Sequence, residues 1–380
     1  MSQALSRRGI PHVVLERNRI AERWRSERWD SLRFQFPNWA LRLPDFPYSG
    51  DKPDEYAPRD DVVRFIEAYA ASIQAPVRTG VTVQRLVRTD EGFALTCDDG
   101  VFTARNVVIA TGPYQQTVVP DAANGLGDVF QLTASNYRNP EQLPEGGVLV
   151  VGAGASGCQI AEELLDAGRR VYLSVGSHRC VPRRYRGRDF IWWMNALGWD
   201  ERVADPAAGR QPPLVISGAK GGRTVDLREY AAAGMALAGR FSGAWDGVAS
   251  FAPDLAASLA AGDAAYAAFV AAADAHLDVV AGEGPPATTC PEPTGIESLD
   301  LRAAGIRTVI WATGYRYDFG WVDLDVFTAG EPEHTRGVTP VPGAYFLGLP
   351  LLYKTKSSFL SGVGEDAAYL AEQIDIRRKT

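Results

Sequence analysis

A glycine-rich turn between two apolar strands constrains the fold of this chain more than any other feature. Val148 to Val151 predicts a buried strand, GAGASG follows at 152–157, a helix comes next, and Val171 to Val175 predicts a second strand. In such a βαβ unit the first glycine permits a tight turn, the second lets the backbone approach a pyrophosphate, and the third allows close helix–strand packing. The helix N-terminus offers free N–H groups and a partial positive charge to phosphates. A strand-to-helix turn with incidental glycines is the alternative. The residues predicted to bind the dinucleotide are Gly152, Gly154, Ala155, Ser156 and Gly157.

The end of the second strand indicates which dinucleotide would bind. An NAD site usually has Asp or Glu there, bonding the ribose 2′-hydroxyl, but Ser174 to Ser177 contains no acid. Guanidinium groups, which follow closely, would instead hold a 2′-phosphate. We therefore expect NADPH rather than NADH, with no more than two of the arginines at the phosphate and the others on a solvated basic surface. The candidates are Ser177, Arg179, Arg183 and Arg184, with Arg186 nearby.

The N-terminal region repeats part of this unit. When Gly9 is aligned with Gly168, Met1 matches Ile160 and residues 12–16 match the strand at 171–175. Glu16 then stands at the end of a second strand, where an acid bonds an unphosphorylated ribose, as in FAD. The same offset places the last glycine of this fingerprint before Met1. We therefore expect about 15–25 further residues upstream in the natural gene product, enough for one strand and one glycine turn.

Composition and charge narrow the function classes. Lys plus Arg is 39 and Asp plus Glu is 46, a net charge of −7, which argues against a general nucleic-acid or anionic-membrane binder. No apolar run approaches the ~18 residues of a membrane span, and no signal peptide is visible. We therefore expect a cytoplasmic protein. The four cysteines form no CxxC pair and the four histidines no metal-ligand spacing, so we expect no dithiol centre and no metal site. An Ala-rich stretch at about 230–282 is expected to be helical scaffold.

Four further segments complete the pattern. VVIATG at 107–112 and IWATGY at 310–315 are apolar strands that run into Ala-Thr-Gly. Trp24 to Pro58 is an irregular stretch rich in aromatics and prolines, and Tyr345 to Asp366 reads YFLGLPLLYKTKSSFLSGVGED. In their order and spacing these motifs resemble the flavin-containing monooxygenase-like branch of the two-dinucleotide-binding-domain flavoproteins. That branch includes plant indole-pyruvate monooxygenases and bacterial oxidoreductases of similar layout. The resemblance covers nearly the whole chain.

The resemblance implies an α/β fold with two Rossmann-like, three-layer domains. An NADPH domain at 141–312 would be inserted into an FAD domain formed by 1–140, which lacks its first strand and GxGxxG turn, and by 313–380. Arg59 is weighed equally between a cofactor contact and a surface salt bridge. The residues that the resemblance places at the FAD or between the domains are Glu16, Arg17, Trp24, Arg59, Val83, Ala110, Thr111, Gly112, Ala312, Thr313, Gly314, Gly348 and Gly364.

One departure from the family lies just before the NADPH unit. Family members often carry Phe, a His-Ser pair and Tyr there, whereas this chain has Phe130, Thr133-Ala134 and Tyr137. The aromatic ends are present, but the His-Ser pair is replaced. This replacement bears on how the domains are coupled and how NADPH is positioned.

The implied function is that of an NADPH-dependent FAD monooxygenase. NADPH would reduce FAD, O2 would form a C4a-(hydro)peroxyflavin, and a small organic substrate would undergo N- or S-oxygenation or a Baeyer–Villiger or decarboxylative reaction. The alternatives are a reductase or oxidase without oxygen insertion and an NADPH-binding protein that has lost tight FAD binding. The catalytic candidates are the amides Gln35 and Asn38, each equally well read as a structural loop amide.

Three more features have both a functional and a structural interpretation. Lys354 and Lys356 lie in the flavin-proximal segment, but exposed lysines are the commoner case. The cluster Phe190 to Met194 could line a substrate entrance, but core packing of an amphipathic helix is favoured. The Trp-rich segment around it could alternatively be a homodimer interface. The expected partners are therefore a small organic substrate and O2, without nucleic acid or membrane.

Overall fold

The computed structural model describes residues 1–205, 211–276 and 290–379. For the description of the fold we divide the chain differently, into a first, a middle and a last segment, each defined by its elements. The first segment contains α1 (Ser2–Arg7), β1 (Val14–Glu16), α2 (Glu22–Ser26), β2 (Arg42–Leu43), β3 (Phe46–Pro47), α3 (Arg59–Ser72), β4 (Val77–Thr79), β5 (Val83–Thr89), β6 (Gly92–Cys97), β7 (Gly100–Ala104), β8 (Val107–Ile109) and β9 (Gln116–Thr117). The middle segment contains β10 (Phe130–Thr133), β11 (Gly147–Val151), α4 (Ala155–Asp166), β12 (Val171–Ser174), β13 (Arg179–Cys180), β14 (Arg184–Tyr185), β15 (Arg188–Asp189), α5 (Phe190–Ala196), β16 (Leu214–Val215), α6 (Leu227–Ala232), β17 (Ala236–Ala238), β18 (Phe241–Trp245), β19 (Val248–Phe251), α7 (Leu255–Ala275), β20 (Ser298–Asp300) and β21 (Ile306–Trp311). The last segment contains β22 (Tyr315–Arg316), β23 (Val322–Asp323), β24 (Phe327–Thr328), β25 (Glu331–Pro332), β26 (Ala344–Phe346) and α8 (Val363–Lys379).

The middle segment is organised around a five-stranded parallel sheet with the order β10-β21-β11-β12-β17. Its central strand β11 is buried at all five residues, as expected for a parallel strand covered on both faces, which needs a continuous apolar run. Helix α4 covers one face, turning Ile160, Ala161 and Leu164 into the core. Strand β10, which lies before the expected domain start at residue 141, also belongs to this sheet.

A three-stranded antiparallel sheet, β18-β19-β20, contributes to the core on the other face of the parallel sheet. Ala249, Phe251 and Leu299 from this small sheet pack with Leu149 and Val151 of β11. The expectation of a helical scaffold at about 230–282 is therefore wrong for residues 236–251, which form β17, β18 and β19. Alternating small and aromatic residues suit a half-buried strand, and this tertiary context overrides the helix propensity of alanine. Residues 277–282 of that stretch lie outside the described residues.

Helix α7 is the one helix in the described ranges that is long and apolar enough to cross a membrane, with a mean hydropathy of 1.5 over its window. Its acidic side chains nevertheless make ion pairs with the middle domain, Asp263 with Arg228 and Asp274 with Arg186. Phe269 is buried against Trp193 and Tyr185. The ion pairs and the buried aromatic face join α7 to the folded domain.

The first and last segments form a second unit. The meander β5-β6-β7 pairs with β23 from the last segment, and the parallel pair β8-β26 joins the two segments again. Leu5, Phe346 and Leu370 share one core, so both ends of the chain contribute to it. Among the described residues β1 pairs only with β4 and β8 only with β26. The fold is thus α/β, with one domain inserted into another, as the sequence predicts.

Candidate functional site

The turn at 152–157 has the steric properties of a phosphate cradle. Gly152 has φ +105°, and a Cβ there would lie 2.6 Å from the Ala312 carbonyl oxygen. A Cβ on Gly157 would lie 1.8 Å from the Gly152 carbonyl oxygen, so neither position accepts a side chain. A Cβ on Gly154 would meet nothing within 4 Å, which leaves open space beside the helix start. The three glycines therefore divide into two that close the turn and one that faces free volume.

Helix α4 begins in this open space. Its N-cap is Gly154, and no side chain caps the helix, so the first N–H groups at Ala155 and Ser156 receive no side-chain acceptor. Such a helix end favours an anion, because the orphan N–H groups and the macrodipole both point outwards. The turn also contacts the second Ala-Thr-Gly segment, since the Ala312 N–H donates to the Val151 carbonyl at 2.8 Å. This arrangement fits a pyrophosphate.

The end of β12 carries no acid, as the sequence predicts, and is tied to β17. Ser174 Oγ donates to the Gly239 carbonyl at 2.9 Å and accepts from the Phe241 N–H at 3.0 Å. Ser177 is exposed, and half-buried Arg179 donates from Nε to the Pro212 carbonyl at 2.9 Å. Arg184 is exposed, with Nη2 3.4 Å from the Gly221 carbonyl oxygen. Neither Arg179 nor Arg184 has an ion-pair partner among the described residues.

Arg183 lies elsewhere. Its side chain is only 2% exposed and forms an ion pair with Asp189, Nε to Oδ2 at 2.9 Å. Its Nε also donates to the Tyr56 hydroxyl at 3.0 Å, and Nη1 donates to the Gln35 carbonyl at 2.7 Å. The guanidinium is thus buried and directed at acceptors of the protein, and not at the open end of β12. The expectation that Arg183 binds the 2′-phosphate is therefore not supported by its position.

Arg240, which follows β17 in sequence, lies close to the end of β12 in space and is not among the residues predicted from the sequence. Its Cγ lies 4.0 Å from the position of a Cβ on Gly176, and its side chain is 72% exposed. Its Nε is 3.7 Å from Asp254 Oδ2, a loose ion pair. Arg240 follows β17, the strand beside β12, so the pairing of the two strands brings it to this edge. The signal that could have found it is a basic residue just after the next parallel strand.

The two Ala-Thr-Gly segments come together at the crossing between the domains. Residues 110–112 follow β8, residues 312–314 follow β21, and the antiparallel pair β9-β22 joins the two continuations. The Val118 N–H donates to the Gly314 carbonyl at 3.0 Å, and Thr313 Oγ1 donates to the Val118 carbonyl. Thr111 and the Gly112 carbonyl both accept from the Gln115 amide. These contacts hold the two Ala-Thr-Gly segments and their continuations side by side.

The other residues predicted at the flavin have varied surroundings. Glu16 ends β1 and accepts from the Asn18 N–H at 2.8 Å, so its carboxylate is held at the strand end. Gly348 follows β26 with φ +76°, a conformation that favours glycine. Gly364 lies in the first turn of α8, where a Cβ would lie 2.6 Å from Pro44 Cγ. Arg17 is exposed, Val83 begins β5, and Trp24 packs against the Phe34 ring at 6.0 Å.

Several candidates are engaged in structural ion pairs. Arg59 bonds both Asp30 and Asp60 at 2.9 Å, which favours the salt-bridge interpretation. Lys354 and Lys356 both pair with Glu201 and Glu365, and Lys356 is only 8% exposed on its side chain. Hydrogen bonds from the two lysines lower the pKa of Glu201. Burial acts to raise the pKa of Glu365, but the lysines outweigh it, so this pKa is lowered as well. The two lysines join residues 200–204 to the C-terminal segment, and Lys356 also lines the crevice described below. The paired groups are Lys354, Lys356, Glu201 and Glu365.

Residues 33–40, a part of the aromatic stretch that we call the strap, contain the two amide candidates. Asn38 is buried, its Nδ2 donates to the Lys52 carbonyl at 2.9 Å, and its Oδ1 has no partner. Gln35 is half-buried, and its carbonyl accepts from Arg183. The Phe190–Met194 cluster packs with Phe269 in a hydrophobic core, as the favoured interpretation predicts.

A crevice lies between the strap, α5 and the C-terminal segment. Phe36, Trp39, Met194 and Phe359 line it, and its volume of about 10 Å³ holds roughly one water molecule. Asp200 lies in its wall with Oδ1 unpartnered, and burial raises the pKa of this carboxyl. Polar and charged side chains line it beside the aromatic ones, among them Arg42, Asn195 and Lys356, so the crevice combines an apolar wall with groups that can hydrogen-bond a ligand.

Two remaining predictions can be placed. Thr133 and Ala134, which replace the family's His-Ser pair, are buried at the end of β10, where Thr133 Oγ1 lies 2.9 Å from Ser135 Oγ. Tyr137 is fully buried and donates to Glu163 Oε2 at 2.8 Å. No group of His, Cys, Asp and Glu in the part of the chain that the structure describes could hold a metal ion.

Comparison with known proteins gives consistent results. Residues 1–186 match the pyridine nucleotide-disulphide oxidoreductase family. The chain is 32% identical over 378 residues to a CzcO-like oxidoreductase of Geobacillus kaustophilus, covering 95% of this chain and 90% of that protein. It is 33% identical over 190 residues to indole-3-pyruvate monooxygenase YUCCA1 of Oryza sativa, covering 48% of this chain and 46% of that protein. The flavin-containing monooxygenase from Stenotrophomonas maltophilia has a similar fold, with a TM-score of 0.66, 20% identity and coverage of 99% and 94%.

Proposed function

Because the chain belongs to the family of the CzcO-like oxidoreductases and has the fold of a flavin-containing monooxygenase, we propose that it is an NADPH-dependent flavin monooxygenase. The observation that carries the proposal is the glycine cradle at 152–157. Gly152 and Gly157 close the turn, Gly154 faces open space, and helix α4 begins without a side-chain cap, which together suit a dinucleotide pyrophosphate. The substrate would be a small organic molecule oxygenated at nitrogen, at sulfur or beside a carbonyl.

NADPH would be held by the middle domain. The N–H groups of Ala155 and Ser156 would bond the pyrophosphate, since no side chain caps the helix there. Arg240 and Arg179, which flank the end of β12, would bond the 2′-phosphate. The absence of an acid from this strand end favours a phosphorylated ribose. The exposed hydroxyl of Ser177 is a further donor at the same edge.

The domain formed by the first and last segments, which we call the outer domain, offers a site that fits the ribose and ring portions of FAD. Glu16 would accept from a ribose hydroxyl, and Gly348, with φ +76° and open space at the position of a Cβ, would let the cofactor approach the backbone. The Ala-Thr-Gly crossings would contact the cofactor between the domains. When bound, FAD supplies the redox chemistry, accepting a hydride from NADPH and activating O2.

The chain's own residues then orient the substrate and exclude water. Phe36, Trp39 and Phe359 give the crevice an apolar wall, which would select the organic substrate and keep solvent away from the reacting atoms. The amide candidates act as hydrogen-bonding groups. Asn38 Oδ1 has no partner and can accept a bond, and the Gln35 side chain can donate one.

The test is a direct measurement of oxygen transfer. Purified protein reconstituted with FAD is given NADPH, isotope-labelled O2 and a panel of amines, sulfides and ketones, and the products are analysed by mass spectrometry. The proposal predicts a labelled product in step with NADPH consumption. If all consumed NADPH appears as hydrogen peroxide with no labelled product, the protein is a reductase or oxidase. If no flavin spectrum survives desalting, tight FAD binding is refuted.

A further inference from the structure

A buried cluster of three side chains joins the middle domain to the strap. Arg183 makes a fork with Asp189, Nε to Oδ2 at 2.9 Å and Nη2 to Oδ1 at 3.1 Å. Asp189 Oδ1 also accepts from the Ile191 N–H at 2.8 Å at the start of α5, which fixes the carboxylate. A buried guanidinium is tolerated only when it is paired and its donors are bonded, so this geometry is strongly determined.

The same guanidinium reaches across to the outer domain. Nη1 donates to the Gln35 carbonyl at 2.7 Å, and the Tyr56 hydroxyl donates to Asp189 Oδ2 at 2.6 Å. The Arg183 Cζ lies 4.6 Å from the centre of the Tyr56 ring, a cation–π distance. Burial raises the pKa of Tyr56, so the hydroxyl remains a donor at neutral pH. The bond to Gln35 is made to the backbone, so it holds the strap itself and not the amide side chain.

Two glycines of the middle domain close the other side of this contact. A Cβ on Gly218 would lie 2.1 Å from the Phe34 carbonyl oxygen, and one on Gly222 would lie 2.3 Å from the Tyr56 ring. Backbone of the middle domain therefore touches the strap directly, with no side chain between them. The strap at 34–35 and Tyr56 are held between these glycines and the Arg183–Asp189 pair, so small displacements meet steric or hydrogen-bond resistance.

We propose that Arg183 is a positioning residue, which, with Asp189 and Tyr56, sets the place of the strap at Gln35 and thereby couples NADPH oxidation to oxygen transfer. This inference rests on the proposed function. In the coupled reaction NADPH and a proton supply two electrons, one oxygen atom of O2 enters the substrate and the other leaves as water. In the uncoupled reaction the same two electrons and two protons convert O2 to hydrogen peroxide. A displaced strap admits water and favours the second outcome.

The test compares Tyr56→Phe and Arg183→Lys with a matched control. Tyr56→Phe removes two hydrogen bonds of the hydroxyl, its donation to Asp189 Oδ2 and its acceptance from Arg183 Nε, and keeps the ring over the guanidinium. Tyr185→Phe is the control, because the Tyr185 hydroxyl donates to Asp274 Oδ1 at 2.5 Å, a bond of the same kind that is made to helix α7 and not to the Arg183–Asp189 pair. For Tyr56→Phe we expect oxygenated product per NADPH to fall about tenfold or more, with the KM for NADPH unchanged, since small misplacements at a reacting centre cost this much. Tyr185→Phe should couple like the wild type.

Hydrogen exchange separates failure of this inference from failure of the proposed function. The Phe34 and Asn38 N–H groups bond the Ala57 and Glu55 carbonyls, so their exchange reports the position of the strap. Faster exchange at residues 33–40 in Tyr56→Phe, but not in Tyr185→Phe, supports positioning even if the wild type makes no oxygenated product. Unchanged exchange in Tyr56→Phe overturns the inference, and so does unchanged coupling if the wild type oxygenates a substrate. If Arg183→Lys does not fold, Tyr56→Phe alone decides.

Discussion

Replacing Gly154 with alanine separates the binding role of the glycine turn from its structural role. A Cβ at this position meets no protein atom within 4 Å, and the backbone, at φ −75°, is one that alanine adopts readily. The folded protein should therefore be nearly as stable as the wild type, because the loss of a glycine N-cap destabilises it and the lower conformational entropy of the unfolded chain stabilises it, each by under about 1 kcal/mol.

The same methyl group occupies the space that a pyrophosphate would use. If it displaces the phosphate from one helical N–H, the loss is one charge-assisted hydrogen bond, worth about 1.5–3 kcal/mol. This corresponds to roughly a ten- to hundredfold weaker Kd for NADPH. Gly157→Ala should behave differently, because its Cβ would lie 1.8 Å from the Gly152 carbonyl oxygen and the turn itself must shift. That variant should lose both stability and binding.

Titration calorimetry with NADPH and thermal unfolding give the two quantities. Gly243→Ala is the matched control, because this glycine also has open space around it and lies on β18, away from the turn. The control should keep both stability and affinity. A folded Gly154→Ala protein that binds NADPH with the wild-type Kd would show that the turn at 152–157 is not the pyrophosphate site.

Three further predictions concern charge and burial. Arg240→Ala should raise the KM for NADPH about tenfold and leave that for NADH unchanged, whereas Arg184→Ala should change neither; steady-state kinetics with both coenzymes checks this. The pKa values of Glu201 and Glu365 lie below the usual 4.5, so their ionised forms stabilise the fold above that pH and the contribution is lost as pH falls. Urea midpoints measured down the pH scale should fall less steeply for Glu201→Gln. Burial raises the pKa of Cys180 to about 12, so iodoacetamide at pH 8 should label it only after unfolding, and rapid labelling of native protein would contradict this.

The local parts of the site could be predicted from the sequence. The spacing of GAGASG between a strand and a helix predicts the turn. Gly157 is needed for a local reason, the Gly152 carbonyl, whereas Gly152 is needed because the distant Ala312 carbonyl lies against it. Glu16 is predicted from the internal repeat and the two Ala-Thr-Gly segments from the family resemblance, and their contacts with the cofactor stay predictions. Their roles depend on the ends of parallel strands, which short-range patterns locate well.

The assignment of the arginines could not be predicted in this way. Four arginines follow β12, yet Arg183 turns inward to Asp189 and the strap, while Arg240 arrives at the same strand end from β17. Which guanidinium is buried depends on whether a carboxylate and a carbonyl lie within reach to repay its desolvation. Asp189 is only six residues from Arg183, but the Gln35 carbonyl comes from a distant part of the chain.

The sequence by itself determined the βαβ unit, the order of the dinucleotide motifs and the two-domain plan, because each is encoded by neighbouring residues with fixed spacing. Only the tertiary structure decided that the Ala-rich region forms strands β17–β19, that Lys354 and Lys356 pair with Glu201 and Glu365, and that Arg183 holds the strap. These outcomes depend on which surfaces meet. Burial and charge pairing between residues far apart in sequence outweigh the local preferences of each segment.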